Sequence, residues 1–422
     1  MSAAARRSDA PGPGASVPGA SVPGASAPGA SDPGASAPGA SAMGKAGRDA
    51  GRAGDRPPVV LSVFSTFAVG GPQVRFAAIA NRFGRRYRHL VVSMSGDFAC
   101  RERLIPGLDV EYPAFDPVKG DVSGMVRRAR ALLQQVRPDV LVTANWGAIE
   151  WAMANQWPPG ARPFVRHVHM EDGFGPEERD RQIPRRVWTR RLVLRRSTVV
   201  LPSRLLWRIA TEQWRLPERV LHYVPNGVDL SRFTPSARDG AVAGGAEGPV
   251  VGTVAALRAE KNLPRLLRAF AAAVADAPGR LVVVGGGPER PGLERLAAEL
   301  GIAGRVRFAG EVTNPAGEYA GFDAFALSSD TEQMPLSVLE AMAAGLPVAA
   351  TDVGDVRAML DPANGPYVVP KDDAALAGAL RALLRDRETT RRVGAANRAR
   401  AEREFDQETM FRTYAALFDG TA

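Results

Sequence analysis

Along this chain, continuous apolar runs alternate with stretches whose apolar residues recur at helical spacing. Val59-Val60-Leu61-Ser62-Val63-Phe64 is β-branched and apolar, bounded by prolines before it and Gly70-Gly71 after it. It predicts a buried strand feeding a glycine turn. Helical spacing around Val74–Arg82 follows, then the run Leu90-Val91-Val92. A periodic stretch over Val126–Val136 gives way to Asp139-Val140-Leu141-Val142-Thr143, and Val165–Phe174 reads as a strand ending in a polar cluster. The second half repeats the pattern: strand Val250–Val254, helix Leu263–Ala275, strand Leu281–Val284 and helix Leu293–Leu300. Strands Val306–Phe308 and Ala324–Leu327, helix Pro335–Ala344 and strand Pro347–Ala350 complete it. Such alternation predicts an α/β protein with parallel sheets. Doubly wound sheets take ligands at the carboxyl ends of their strands, so two such domains should turn those edges toward a shared cleft.

A length of 422 residues suits two domains, and 45% hydrophobic with 23% charged residues is ordinary for a globular chain. The expected domains span 57–225 and 226–407, with a turn-like Gly/Ala-rich segment at Ser236–Gly248 and a helix near Glu408–Phe418 crossing back to the first domain. From Pro11 to Ala42 the chain repeats Pro-Gly-Ala-Ser-x, which has too few large apolar side chains to offset ordering entropy. Residues 1–56 are therefore expected to be a disordered tail. Met43, directly after the repeat, is an alternative start, and a flexible tether is equally compatible. A single cysteine, Cys100, excludes an intrachain disulfide and a thiolate-rich metal site. No apolar run approaches the ~18 residues of a membrane span, and the N-terminus lacks a signal-peptide core, so a cytoplasmic location is expected.

The net charge of +9 conceals an asymmetry. Residues 57–225 hold 26 basic and 15 acidic side chains, or +11, whereas residues 226–422 hold 22 and 26, or −4. The basic half suits an anionic partner, and its bland alternative is a solvated surface in a chain with 50 arginines and 4 lysines. Arg179–Arg196 concentrates eight arginines among Ile183, Val187, Trp188, Leu192, Val193 and Leu194. As a basic amphipathic helix it predicts peripheral contact with an anionic membrane; as a solvated helix it would turn its apolar side to the core. Asn145-Trp146-Gly147 with Glu150 borders the same cleft or simply packs.

The densest chemistry lies in Ser328–Pro347, where Glu332 precedes a helix and Glu340 lies eight residues on, within it. A helix N-terminus offers free N–H groups and a positive dipole end to an anion. This stretch resembles the E-x7-E motif of retaining glycosyltransferase family 4. Gly70-Gly71, Val224-Pro225-Asn226-Gly227-Val228-Asp229, Glu260-Lys261-Asn262 and Gly285-Gly286-Gly287-Pro288 match in order, so the resemblance spans roughly residues 59–415. It implies the GT-B fold, two facing Rossmann-like domains, and a nucleotide-sugar donor held by the second domain.

By the same resemblance, Glu340 holds the donor ribose, Glu332 lies near the transferred sugar and Lys261 holds the diphosphate. The family's usual arginine is replaced by Ala256, and Arg258 is the candidate substitute. Gly70, Gly71 and Gly287 would admit the donor to the backbone, with Gln333, Met334, Pro335 and Leu336 contributing around the sugar. Gln333-Met334 departs from the common Gly-Phe, which leaves the sugar open. In the first domain, Asp172 occupies the place of a family histidine and His169 lies three residues earlier; either can orient sugar or acceptor. No metal or other cofactor is expected. The resemblance implies transfer to a lipid-linked or saccharide acceptor in surface polysaccharide or glycolipid assembly, with no nucleic acid. The alternatives are a non-catalytic basic adaptor for membrane or nucleic acid with a degenerate fold, and an epimerase or phosphorylase of the same fold.

Overall fold

The computed structural model describes residues 56–117, 120–156, 164–178, 181–235 and 248–422. Most of the repeat-bearing tail, the Met43 position, Arg179 and nearly all of Ser236–Gly248 lie outside them.

Seven parallel strands form the first sheet: β1 (Val59–Phe64), β2 (Arg88–Ser93), β3 (Val110–Glu111), β4 (Val140–Ala144), β5 (Arg166–Met170), β6 (Thr198–Leu201) and β7 (Leu221–Tyr223). Their order is β3-β2-β1-β4-β5-β6-β7, so the strand order reverses beside β1. The second sheet holds β8 (Val250–Val254), β9 (Arg280–Val284), β10 (Val306–Gly310), β11 (Ala324–Leu327), β12 (Val348–Thr351) and β13 (Val368–Val369), ordered β10-β9-β8-β11-β12-β13. Both sheets are wholly parallel. Every residue of β1, β4, β11 and β12 is buried, which is why those strands read as unbroken apolar runs rather than alternating ones.

Each sheet is covered on both faces by helices. In the first domain one face packs Phe64, Phe67 and Phe76 against the helix Gly71–Phe83; the other packs Leu61, Leu133 and Trp151. The last helix, Gln407–Asp419, returns to the first domain and seals the former face with Met410, Phe411, Tyr414 and Phe418. Phe418 meets the Tyr87 ring edge-on at 5.5 Å, and the Tyr87 hydroxyl donates to Asp419 Oδ1 at 2.9 Å. Arg82 adds a bidentate pair to Glu408, largely exposed and therefore worth little beside the aromatic burial.

The helix Leu336–Ala343 begins one residue later than expected, because Pro335 keeps an extended ψ of 125° and stands as its N-cap. Phe418→Ala should lower stability by about 3–4 kcal/mol, read as a shift in the urea midpoint, because it empties a packed aromatic site under the first domain.

Candidate active site between the facing sheet edges

The loops that leave the carboxyl ends of β8 and β11 lie side by side. Asp330 N donates to Glu260 O at 2.9 Å, Arg265 Nη1 reaches Asp330 Oδ1 at 2.8 Å, and Asn262 Nδ2 donates to the same carboxylate. This clamp brings Lys261 and Glu332 together, Nζ to Oε1 at 2.6 Å, and Ser329 Oγ donates to that same oxygen at 2.7 Å. Glu332 is thus fixed at the cleft with part of its surface open.

Eight residues on, Glu340 accepts a 2.8 Å hydrogen bond from the Tyr319 hydroxyl. Tyr319 is fully packed, stacked on Phe325. Burial pushes the Glu340 carboxyl up to about 7, and the Tyr319 hydrogen bond and the charges of Arg232 and Arg103 pull it only partly back. Burial, with the Glu340 charge beside it, also raises the Tyr319 hydroxyl well above its ordinary range.

Gly287 has a structural requirement of its own. Its φ is +152°, and a Cβ there would lie 2.5 Å from Leu257 O. The glycine therefore lets the loops after β8 and β9 touch, with Leu257 N donating to Gly286 O at 2.8 Å. Arg258 is exposed, and Ala256, two residues before it, carries no charge.

On the facing domain, Gly70 is the N-cap of the helix Gly71–Phe83, which has neither a side-chain cap nor an acid in its first turn. A Cβ on Gly71 would meet nothing within 4 Å, so the turn opens outward. One turn into this helix, Arg75 is buried and forms a bidentate pair with Asp172 at 2.6 and 2.7 Å. Its Nη1 also donates to Asn226 Oδ1 at 2.8 Å. Burial alone would lower the Arg75 pKa, but the Asp172 carboxylate outweighs it and the net direction is up.

Three of the expected site side chains are engaged inside the protein. His169 is fully buried: Nδ1 lies 2.8 Å from Thr143 Oγ1 and Nε2 faces Glu171 Oε2 at 3.5 Å, so its ring is occupied inside the domain rather than offered to a substrate. Asp172, expected in the catalytic set, spends both carboxylate oxygens on Arg75, while its backbone N donates to Asn145 Oδ1 at 2.7 Å. Met334 is likewise not a cleft side chain. It is buried in the second-domain core, with Sδ 3.3 Å from Asn226 N.

The two edges meet at several points. Ser203 Oγ donates to Gln333 Oε1 at 3.2 Å, and Asn226 Nδ2 donates to Met334 O at 2.9 Å. A Cβ on Gly173 would lie 3.1 Å from Gln333 Cγ. Asp355, after β12, accepts from Arg204 N at 2.5 Å and Leu205 N at 3.1 Å, capping a helix of the opposite domain. Between these contacts a cleft of about 640 Å³ is lined by Phe174, Gln182, Glu260, Thr331, Glu332 and Lys371. Pro335 is buried as the N-cap, and Leu336 is half-buried at the helix start.

Facing parallel-sheet edges, an uncapped helix start on one and a Lys–Glu pair with a second, half-buried glutamate on the other, define a two-domain transferase site of the GT-B kind. Residues 248–386 match the family model "Glycosyl transferases group 1" and residues 69–232 match "Glycosyltransferase Family 4". A D-inositol 3-phosphate glycosyltransferase of Geodermatophilus obscurus is 31% identical over 76% of this chain and 78% of its own length. One from Nocardia farcinica is 32% identical over 63% of this chain, and the match spans 64% of that relative. Among solved structures, Anabaena Alr3699/HepE in complex with UDP and glucose superposes with a TM-score of 0.71 at 21% identity, over 86% of this chain and all of that one. The chain belongs to glycosyltransferase family 4.

Reading the sequence missed Arg75, Tyr319, Asp355 and the Glu171–Arg190–Glu178 cluster. Arg75 left one signal: it sits four residues before Ile79 within the buried stripe of its helix, where an apolar residue is the rule. Tyr319 left none, since its partnership with Glu340 exists only after folding.

Between an ordinary value of 4.5 and about 7, the folded chain holds a proton on Glu340 that the unfolded chain has released. Stability on this account falls as pH rises through that window. Glu340→Gln should remove that part of the slope, checked by denaturant titrations at about pH 5 and about pH 7.5.

Proposed function

We propose that this protein is a retaining hexosyltransferase that moves a sugar from a nucleotide-sugar donor to a lipid-linked or saccharide acceptor, in surface polysaccharide or glycolipid assembly. The observation that carries this reading is the Lys261–Glu332 pair at the cleft, with Glu340 eight residues further on. On this reading Glu340 takes the ribose hydroxyls, and Lys261 turns from Glu332 to the diphosphate as the donor enters. Glu332 is then released toward the sugar, while the free N–H groups at Gly71 and Leu336 meet developing negative charge. Arg258 is exposed beside this site and free to add a second cation. The bond from the sugar's anomeric carbon to phosphate breaks as the acceptor oxygen bonds to the same face. The acceptor proton passes to the departing phosphate oxygen, so no enzymic base is needed.

The solved relative bound to UDP and glucose and the two relatives named for inositol 3-phosphate favour a uridine donor and a polar acceptor as the first to test. Thermal-shift titration against UDP, GDP, ADP and their sugars should raise the melting temperature with one nucleotide series. Lys261→Ala should weaken that nucleotide by on the order of tenfold or more, and Glu340→Ala should abolish the shift. We further propose that no metal takes part: EDTA should leave the transfer rate unchanged.

For the acceptor side, the helix Pro184–Val193 supports peripheral membrane contact. Arg190 and Arg186 turn inward to Glu171, Glu178 and Glu177, while Trp188 and Leu192 are 59% and 63% exposed. Beside it runs a groove of about 1050 Å³ lined by Val122, Val126, Met153 and Leu192, with Arg127 and Arg130 and no carboxylate. Among the described residues no helix is long and apolar enough to cross a membrane, so any contact made by this patch is with the surface. Vesicles containing phosphatidylglycerol should retain the protein in sedimentation. Trp188→Ala with Leu192→Ala should release it without altering nucleotide binding, and equal retention of that variant would remove this helix from the membrane reading.

A further inference from the structure

We propose that Arg75 is a positioning residue that sets one half of the site against the other, through Asn226 and the backbone of Met334. This inference rests on the transferase reading above, which it deepens. Arg75 belongs to the helix that begins at Gly71, and it reaches the crossing between the domains at Asn226. Its Nη1 donates to Asn226 Oδ1 at 2.8 Å, and Asn226 Nδ2 donates to Met334 O at 2.9 Å. Met334 lies two residues after Glu332. The relay therefore runs from the glycine turn of one domain to the glutamate loop of the other.

The geometry of the relay fixes direction as well as distance. Both ends of the Asn226 amide are used, carbonyl oxygen toward Arg75 and nitrogen toward Met334, so the amide cannot flip without losing both bonds. Asp172 holds the guanidinium bidentately, Met170 Sδ lies 3.6 Å from Nη2, and the Tyr414 ring of the returning helix lies 5.9 Å from the guanidinium carbon. Arg75 is 4% exposed and Asn226 7%, so water does not compete for these bonds. A planar fork with several donors suits this junction; a lysine would reach one partner at a time.

Three variants separate positioning from mere burial of a charge pair. Asn226→Asp keeps an oxygen for Arg75 and loses the donor to Met334 O. Arg75→Met with Asp172→Leu removes both buried charges together, avoiding an unpaired carboxylate that would unfold the chain. Arg75→Lys keeps the charge without the fork. All three should bind the nucleoside diphosphate within about twofold of wild type, since those contacts lie on the second domain, while kcat falls on the order of 30–100-fold. Spin labels at Arg128→Cys and Glu299→Cys, with Cys100→Ser to remove the native thiol, give a readout independent of activity: the interdomain distance distribution should broaden in Asn226→Asp. Wild-type kcat in Asn226→Asp and in the double variant, with an unbroadened distribution, would overturn the proposal. If the wild type binds no nucleotide, the transferase reading fails, and the distance distribution still decides whether Arg75 positions the two domains.

Discussion

Everything in the cleft depends on how the chain passes between its two domains. It crosses twice, at Asn226–Val228 and at Phe405–Gln407, and the crossings run side by side. Val228 N donates to Phe405 O at 2.8 Å and Gln407 N to Val228 O at 3.2 Å. A Cβ on Gly227 would lie 2.5 Å from Gln407 Cα, so only glycine lets the two segments touch. Two crossings bonded to each other restrict relative motion more than one linker would.

Within the first domain, beside the cleft, the protein accepts costly buried charge. Arg190 is fully buried, paired to Glu171 and Glu178, and ringed by Trp146, Phe174 and Trp214 with its guanidinium carbon 5.0–5.3 Å from their centroids. Such a group repays its desolvation only if nearly every polar atom is met. What it secures is the Glu171–Phe174 segment, which carries Asp172 toward Arg75 and Gly173 against Gln333. The cation–aromatic cage and the Arg75 junction are thus two supports of one short loop at the cleft, and neither yields a stability argument by itself.

How far this could be seen in the sequence follows from the range of each interaction. Strands buried on both faces are written as local apolar runs, so β1 and β11 were legible to the residue. The short β3, β7 and β13 are two or three residues long and carry no such run. Lys261, Glu332 and Glu340 could be singled out because Glu332 and Glu340 keep a local eight-residue spacing, and the structure brings Lys261 to Glu332. The fate of His169 and Asp172 was not, because Thr143, Glu171 and Arg75 reach them only across the fold. Trp188 and Leu192 show the same limit: helical periodicity placed them on a helix, but which side faced the core was set by Glu171 and Glu178 claiming Arg190.

The departure at Gln333-Met334 then acquires a physical reason. Both residues bond across the domains: Gln333 Oε1 takes the Ser203 hydroxyl and Met334 gives both its sulfur and its carbonyl to Asn226. A glycine at 333 would lose the first bond and the packing on Gly173. A phenylalanine at 334 would offer no sulfur to Asn226 N. The side chains at these two positions therefore help to join the domains, while Glu332 and Thr331 beside them line the cleft. A loop that carries Glu332 and also binds the opposite domain ties the place of that carboxylate to the contact between the two edges.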